Sequence, residues 1–346
     1  MKKVLVAMSG GVDSSCAAMN LLEAGYDVSG ATLKLYCDNG NLNDLSDAKK
    51  IADTLGFPHE VIDMGEYFCD TVISDFVRSY ESGETPNPCI VCNKYVKFGK
   101  LLDYAIEKGF DYIATGHYAK VEYCEKTGRY NLRKSTDLTK DQTYVLYHLT
   151  QHQLSHLLLP LGDGRKSELR AKAEEAGLVN ANKPDSQDIC FVPDGDYASF
   201  LKKYTNKPLT AGTMVDKNGK FLANHDGFER VTIGQRKGLG VSFGKVQFVI
   251  GKEKEGHKVI IGDSEDLFKS ELVARDVNFI SIEKLDEPLK VTAKTRYSQK
   301  EQPATIYPLG DKVKVVFDEP QRAITPGQAV VFYDEDYVVG GGTIEF

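Results

Sequence analysis

The stretch "VLVAMSGGVDSS", Val4 to Ser15, constrains the fold more than any other part of the chain. An apolar run of strand length gives way to two glycines, an aspartate and three serines, and then to the helical pattern "SSCAAMNLLEAG". A glycine-rich turn between strand and helix aims backbone N–H groups and the helix dipole at one point, where an anion is favoured. Gly10 and Gly11 permit close approach, and Ser9, Ser14 and Ser15 add hydroxyl donors. Asp13 either orients the loop or helps hold a magnesium ion on a phosphate. A capped turn alone would need one glycine and one serine. No Gly-Lys-Ser/Thr closes the stretch, so it is not a loop that grips a γ-phosphate with lysine.

Strand-like and helical runs alternate over the next 100 or so residues, as expected of a parallel sheet covered by helices. The strands read "KKVLVAM", "YDVSGATLKL", "HEVIDM" and "DYIATG"; helices fall between them, with Gly25 and Gly56 as stops. A further helix is expected from roughly Val96 to Gly109. The expected fold class is α/β, with a doubly wound parallel sheet whose ligand sits at strand carboxyl ends, where the strand order reverses. Past residue 200 the texture turns β-rich. The domains expected are 1–198, catalytic; 199–267, small and β-rich; and 268–346, a C-terminal β-barrel with strands such as "LKVTAKTRY", "DKVKVVF", "QAVVFY" and "YVVGGGTIEF".

No charge-free apolar run of about 18 residues occurs, and "MKK" leads into a strand instead of a signal-peptide core, so the expectation is a cytoplasmic protein with no membrane association. The net charge of −7 excludes a uniformly basic surface, but its distribution is uneven. Residues 1–200 carry 21 basic and 29 acidic side chains, whereas residues 201–250 carry 9 and 3. Lys202, Lys203, Lys207, Arg230, Arg236 and Lys237 make that middle segment a candidate for following a phosphate backbone.

Seven cysteines without a secretory segment point to free, reactive or metal-binding thiols. "TPNPCIVCNKYVKF" places Cys89 and Cys92 in a proline-bracketed loop just before a helix, with Cys190 far off in "KPDSQDICFV". A thiol at a helix N-terminus beside Lys94 and Lys97 is expected to titrate below about 8.5. A zinc knuckle would need a second close pair or spaced histidines, and neither occurs. Cys16, Cys37, Cys69 and Cys124 read as packing.

The opening loop resembles the Ser-Gly-Gly-x-Asp-Ser loop of the PP-loop ATP pyrophosphatase superfamily, which implies an adenine nucleotide alpha hydrolase-like fold and cleavage of ATP between its α- and β-phosphates. With "TPNPCIVCNKYVKF", "ATGHYA", "KDQTYVL", "SQDICF", "GQRKGLG", "TRYSQ" and "PGQAVVFY" in this order, the chain resembles the bacterial tRNA-specific 2-thiouridylase (MnmA) family over essentially its full length. The resemblance implies adenylation of the C2 oxygen of the wobble uridine, followed by its replacement with sulfur. It implies Cys92 as nucleophile and Cys190 as persulfide carrier. It places Ala7, Met8, Ser9, Gly10, Gly11, Val12, Asp13, Ser14, Leu33 and Gly116 around ATP and Mg2+. Asn87, Pro88 and Cys89 are implied to meet the target base, and His117, Lys140, Asp141, Gln142, Arg296, Tyr297 and Gln328 to contact tRNA. A sulfur-donor protein, either a cysteine desulfurase or a persulfide relay protein, is the implied partner.

One position departs from the family pattern: Cys89 stands where an aspartate is usual, which removes a carboxylate from the neighbourhood of the base. In exchange, Cys89, Cys92 and Cys190 offer three thiolates for an iron–sulfur cluster with one open iron, an alternative to a persulfide relay. The rival classes are a small-molecule PP-loop ligase, which would not need the paired thiols, and a non-catalytic RNA-binding or sulfur-carrier protein, which would not need the ATP loop.

Overall fold

In the computed structural model the described residues are 1–35, 42–178, 180 and 189–345. Cys37 and the "KPDSQD" ahead of Ile189 lie outside them. β1 (Lys3–Ala7) explains the apolar run: Val4 and Val6 point into one core and Leu5 into another, and all three are fully buried. Only a strand covered by helices on both faces requires this. It centres a parallel sheet with β2 (Asp27–Lys34), β3 (His59–Asp63), β4 (Tyr112–Ala114) and β7 (Leu157–Leu158). The order is β3-β2-β1-β4-β7, so the chain reverses direction across the sheet between β1 and β4.

One face carries α1 (Val12–Glu23), α2 (Leu42–Leu55) and, later in the chain, Lys166–Glu175; the other carries two long helices, 65–81 and 88–107. Each long helix contains a wide π segment, Cys69–Ile73 in the first and Cys92–Lys100 in the second. The second helix begins at Pro88, not near Val96, so Cys89 and Cys92 are helical residues instead of loop residues. Asn87 is its N-cap, accepting a hydrogen bond from the Cys89 amide at 3.2 Å, and Pro88 at the first position lacks an N–H that would otherwise go unpaired.

Tyr197–Thr205, a helix, leads into the central sheet, formed by β8 (Gly212–Asp216), β9 (Phe221–His225), β10 (Phe248–Glu253) and β11 (Lys258–Gly262) in the order β10-β11-β8-β9. The last third forms β12 (Phe268–Phe279), β13 (Leu289–Lys294), β14 (Gln302–Leu309), β15 (Lys312–Arg322), β16 (Ala329–Asp334) and β17 (Tyr337–Glu345). β12 pairs with both β15 and β17, which closes the barrel. An early hairpin, β5 (Ala119–Cys124) and β6 (Arg129–Lys134), adds to the edge of the barrel where Tyr337 pairs with Arg133.

The barrel and the α/β layers meet along residues 143–149. The Tyr144 hydroxyl donates to the Ala329 carbonyl at 2.8 Å, and Asn278 donates to the carbonyls of Tyr147 and Leu149 at 2.8 and 3.1 Å. Gly341 has a local reason: a Cβ there would lie 2.7 Å from the Tyr147 ring and 2.6 Å from the Val330 carbonyl oxygen. A second tie is the bidentate pair of Arg275 with Glu84, 3.0 Å for each N–H···O bond. Between the tethered carbonyls, His148 is 5% exposed and neither ring nitrogen has a hydrogen-bond partner.

Two measurements follow from this junction. Arg275→Met leaves Glu84 half-buried without its fork and is expected to lower stability by about 1–2 kcal/mol, read as a reduced urea midpoint; an unchanged midpoint would show the pair to be energetically idle. Burial, with a smaller contribution from Lys94, pushes His148 down to about 3. Its folded value lies below its unfolded one, so the stability it contributes is present above about pH 6.5 and is lost as pH falls from there toward 3. The urea midpoint should therefore fall between pH 7 and 5, and His148→Leu should flatten that slope by up to about 1.4 kcal/mol per unit.

Candidate active site

At the carboxyl end of β1 the chain turns at Met8, whose amide donates to the Ala31 carbonyl at 2.8 Å. Gly10 has φ +73°, a conformation that favours glycine. Gly11 caps α1 without a side-chain hydrogen bond, and the hydroxyls of Ser14 and Ser15 both donate to its carbonyl, at 3.0 and 3.1 Å. Ser9 stands exposed, its amide 3.3 Å from Ser14 Oγ. The result is a rigid turn at the mouth of a helix, with its first-turn amides aimed outward.

Across the reversal point, Gly116 follows β4 and presses on this turn: a Cβ would lie 2.7 Å from the Asp13 carbonyl carbon and 2.8 Å from the Ser14 nitrogen. Asp13 is an orienting residue here, since its Oδ1 accepts from the Tyr118 hydroxyl at 2.8 Å and its Oδ2 pairs with Lys166 Nζ at 3.0 Å. Both oxygens are therefore engaged by protein donors. Asn180 donates to the Gly10 carbonyl at 2.9 Å and to Ser15 Oγ at 3.0 Å, while its own Oδ1 is buried without a partner. Tyr118 lies inside the "ATGHYA" motif with no role of its own expected, and Lys166 and Asn180 carry no motif signal; only the fold brings the three to the loop. Leu33 lies half-buried near the end of the neighbouring β2.

The helix 88–107 is linked to this loop through His117, whose ring lies 5.7 Å from that of Phe98. Cys89 is exposed and Cys92 is 7% exposed in the next turn. The expectation of a lowered Cys92 pKa is overturned: burial raises it, and the opposing pull of Lys97 is the smaller effect. The helix dipole falls off within the first turn and does not rescue a residue one turn inside. Lys94 contributes little at Cys92 because its ammonium lies over the Tyr95 ring, 5.1 Å from the centroid. Cys190 has an exposed surface but is crowded on its other sides, and burial, then Cys92 and Cys89, push its thiol up to about 11. Phe191 anchors it, with its ring 5.1–5.7 Å from those of Phe68, Phe76 and Phe200. Cys92 and Cys190 both respond to Cys89, and Cys190 to Cys92, but among the described residues no three His, Cys, Asp or Glu side chains gather to hold a metal ion. Cys89, Cys92 and Cys190 as placed therefore offer no gathered ligand set for an iron–sulfur cluster.

His117, next to Gly116, hydrogen-bonds Thr115 Oγ1 through Nδ1 at 2.7 Å, and burial, then Lys97 and His148, hold it well below its ordinary value. The expected tRNA-contacting residues divide. Asp141 accepts from the Ser135 amide at 3.1 Å and the Thr143 hydroxyl at 2.5 Å, before a single 3₁₀ turn, Thr143–Val145. Gln142 braces the loop after Gly116, accepting from the Tyr118 amide at 2.9 Å. Lys140 is half-exposed, its amide bonded to the Asp137 carbonyl at 3.0 Å. Arg296 donates to the Ala323 carbonyl at 2.6 Å and to Thr325 Oγ1 at 3.1 Å. Gln328 donates to the Thr85 carbonyl at 2.7 Å, just upstream of Asn87 and Pro88. Tyr297 is 45% exposed, and burial of its phenol end, with Asp141 and Cys89 nearby, pushes its hydroxyl up. It is the barrel residue placed beside Cys89.

The basic middle segment reaches the same neighbourhood. Thr232 faces Thr85, hydroxyl to hydroxyl at 3.4 Å, and a Cβ on Gly234 would lie 3.0 Å from Ala323 and 3.7 Å from Arg296. Arg236 and Lys237 follow directly and are exposed; Lys202, Lys203 and Lys207 are exposed elsewhere in the segment, and Arg230 pairs with Asp226 at 3.4 Å. A separate open cleft of about 630 Å³, lined by residues 62–67 with Lys100 and Tyr104, lies at the end of β3 and contains none of these groups.

Comparison with known proteins agrees with this architecture. Residues 2–194 match a tRNA methyl transferase HUP domain, 198–263 a tRNA methyl transferase PRC-barrel domain, and 269–344 an aminomethyltransferase beta-barrel domain. The tRNA-specific 2-thiouridylase MnmA of Clostridioides difficile is 53% identical, over 99% of this chain and 98% of its own length. That of Acetivibrio thermocellus is 51% identical over 99% of both. The solved U34-tRNA thiolase NcsA of Methanococcus maripaludis, at 17% identity and a TM-score of 0.37 over 59% of this chain and 66% of its own, is too distant to carry an argument. With the matches to the two 2-thiouridylases running end to end, the chain belongs to the tRNA-specific 2-thiouridylase MnmA family.

Proposed function

We propose that this chain converts the wobble uridine of tRNA to 2-thiouridine, using ATP to activate the C2 oxygen. The observation that carries the reading is a chain of contacts: Gly116 seals the glycine-rich turn at the sheet's reversal point, and the next residue, His117, lies 5.7 Å ring to ring from Phe98 of the cysteine-bearing helix. Kinship of about 50% over the whole chain with proteins named for this reaction supports it.

In this reading the amides and hydroxyls of Ser9 to Ser14 hold the pyrophosphate end of ATP, and Ala7, Leu33 and Gly116 bound the nucleoside. Asn87, Pro88 and Cys89 meet the base. The uracil O2 attacks the α-phosphorus, pyrophosphate leaves, and N3 gives up its proton to solvent. A persulfide on Cys190, loaded by a separate persulfide-donor protein, attacks C2 through its terminal sulfur; the C2–O2 bond breaks and AMP departs with its electron pair. The Cys92 thiolate then attacks Sγ of Cys190. A Cys92–Cys190 disulfide forms, the S–S bond to the base breaks, and the thiouracil anion takes a proton at N3. A thiol reductant restores both cysteines. No step runs through a magnesium ion or an iron–sulfur cluster: both oxygens of Asp13 are engaged, and no ligand set gathers among the described residues. Any Mg2+ travels with the nucleotide. The site for tRNA is the face shared by Arg236, Lys237 and Tyr297, and the surroundings are those of a cytoplasmic enzyme.

Two outcomes test the scheme. Incubated with tRNA, ATP and a persulfide source, the protein should yield 2-thiouridine by nucleoside mass analysis. Cys190→Ser should lower that yield by at least about 10³-fold while tRNA-dependent pyrophosphate release continues; loss of both together would refute the separation of activation from sulfur transfer. Replacing Arg236 and Lys237 with Gln should weaken tRNA binding and reduce the slope of log affinity against log salt by about 1 per lost phosphate contact. An unchanged slope would remove the pair from the tRNA interface.

A further inference from the structure

Lys97 lies in the π segment Cys92–Lys100, where hydrogen bonds run to the fifth residue on. In an ordinary α-helix, residues five apart face different directions, whereas the wide turn brings Lys97 round to the side of Cys92. Its side chain is half-buried, yet its ammonium makes no hydrogen bond, ion pair or ring contact with any described residue. Its stem packs along the helix while its head is left without a partner among the described residues, so the ammonium is free to meet an anion that arrives beside Cys92. Three groups sense that charge: Cys92, Cys190 and His117. Among the described residues no other lysine or arginine acts on both thiols. Lys94 is turned onto the Tyr95 ring, and the nearby imidazoles of His117 and His148 are held neutral by burial.

We propose that Lys97 is a catalytic residue of the sulfur-transfer half-reaction, its ammonium contacting and stabilising the sulfur anion as negative charge passes from the Cys190 persulfide to the base and from the Cys92 thiolate to the departing thiouracil. The inference rests on the functional reading above. It resolves a tension within that reading: transfer requires anionic sulfur, and burial at both cysteines disfavours it. A fixed cation that changes no bond order supplies the missing stabilisation, in the way preorganised charge acts elsewhere in catalysis.

The test reads local potential at sulfur without ATP or tRNA. Exposed Cys190 is alkylated at fixed pH and ionic strength with iodoacetate, an anion, and with iodoacetamide, which is neutral, and peptide mass spectrometry gives each rate. Both reagents need the thiolate, so their ratio cancels its fraction and reports the field. In the wild type the iodoacetate-to-iodoacetamide ratio should exceed that of N-acetylcysteine. Lys97→Gln should lower it by about threefold or more, and Lys97→Arg should hold it within about twofold of the wild type. A ratio unchanged in Lys97→Gln overturns the proposal. If that variant fails to fold, a wild-type ratio no greater than that of N-acetylcysteine overturns it equally. A wild-type protein with the expected ratio that forms no 2-thiouridine would instead defeat the functional reading.

Discussion

The position of the reactive helix depends on how its entry segment is held. Residues 84–87 are gripped by both C-terminal units, the barrel and the central domain. Arg275 of the barrel forks Glu84, the Pro326 carbonyl accepts from the Thr85 amide at 2.9 Å, Gln328 takes the Thr85 carbonyl, and Thr232, in the loop between β9 and β10, meets the Thr85 hydroxyl. Gly327 has no side chain because a Cβ would lie 2.8 Å from that of Glu84. One residue after this grip, Asn87 caps the helix that carries Cys89 and Cys92. The two C-terminal units therefore set the register of the thiols directly. An RNA lying across the barrel and the central loop would be indexed to the same segment that points the reactive cysteine.

This arrangement recasts what polar residues near the site do. Gln328, Gln142 and Asp141 are each occupied with backbone or hydroxyl partners that fix a loop, and Arg296 is tied to the turn at Ala323 and Thr325. On the reading proposed above, their effect on a bound RNA would be exerted through geometry, by holding the loops at Thr85, Tyr118 and Ala323 where they are. Tyr297, Arg236 and Lys237 differ because they are exposed. Positioning and contact thus fall on different residues within the same short motifs, a division that motif matching cannot make.

The α/β half was legible because its signals are local. The apolar run at Val4 to Ala7, the paired glycines and the stops at Gly25 and Gly56 each act within a few residues, and each appears where expected. Two kinds of feature escaped. The helix start at Pro88 was displaced because proline, read as punctuation, here serves as a first-turn residue under an asparagine cap. The contacts that assemble the site span long separations: Arg275 and Glu84 lie 191 residues apart, and Asn180 and Gly10 lie 170 apart. Nothing in a local pattern encodes them. The Cys92 pKa failed for the same reason, since the sequence shows the neighbouring lysines but not the depth at which packing buries the sulfur.

That depth is itself informative. A thiol held neutral by burial is a poor nucleophile and a poor target for oxidants, and both Cys92 and Cys190 are in that state. A helix-start thiolate, the simpler design, would be reactive at all times and would compete with the persulfide for any electrophile that entered. Among the described residues Lys97 is the cation that acts on both thiols, beside two imidazoles that burial keeps neutral. On the proposal above, the balance between thiol and thiolate rests on that ammonium, and a substrate seated over it would expel water and strengthen the Coulombic interaction. Sulfur reactivity would then rise with occupancy, so that an activated uridine would be the first electrophile to meet an activated sulfur.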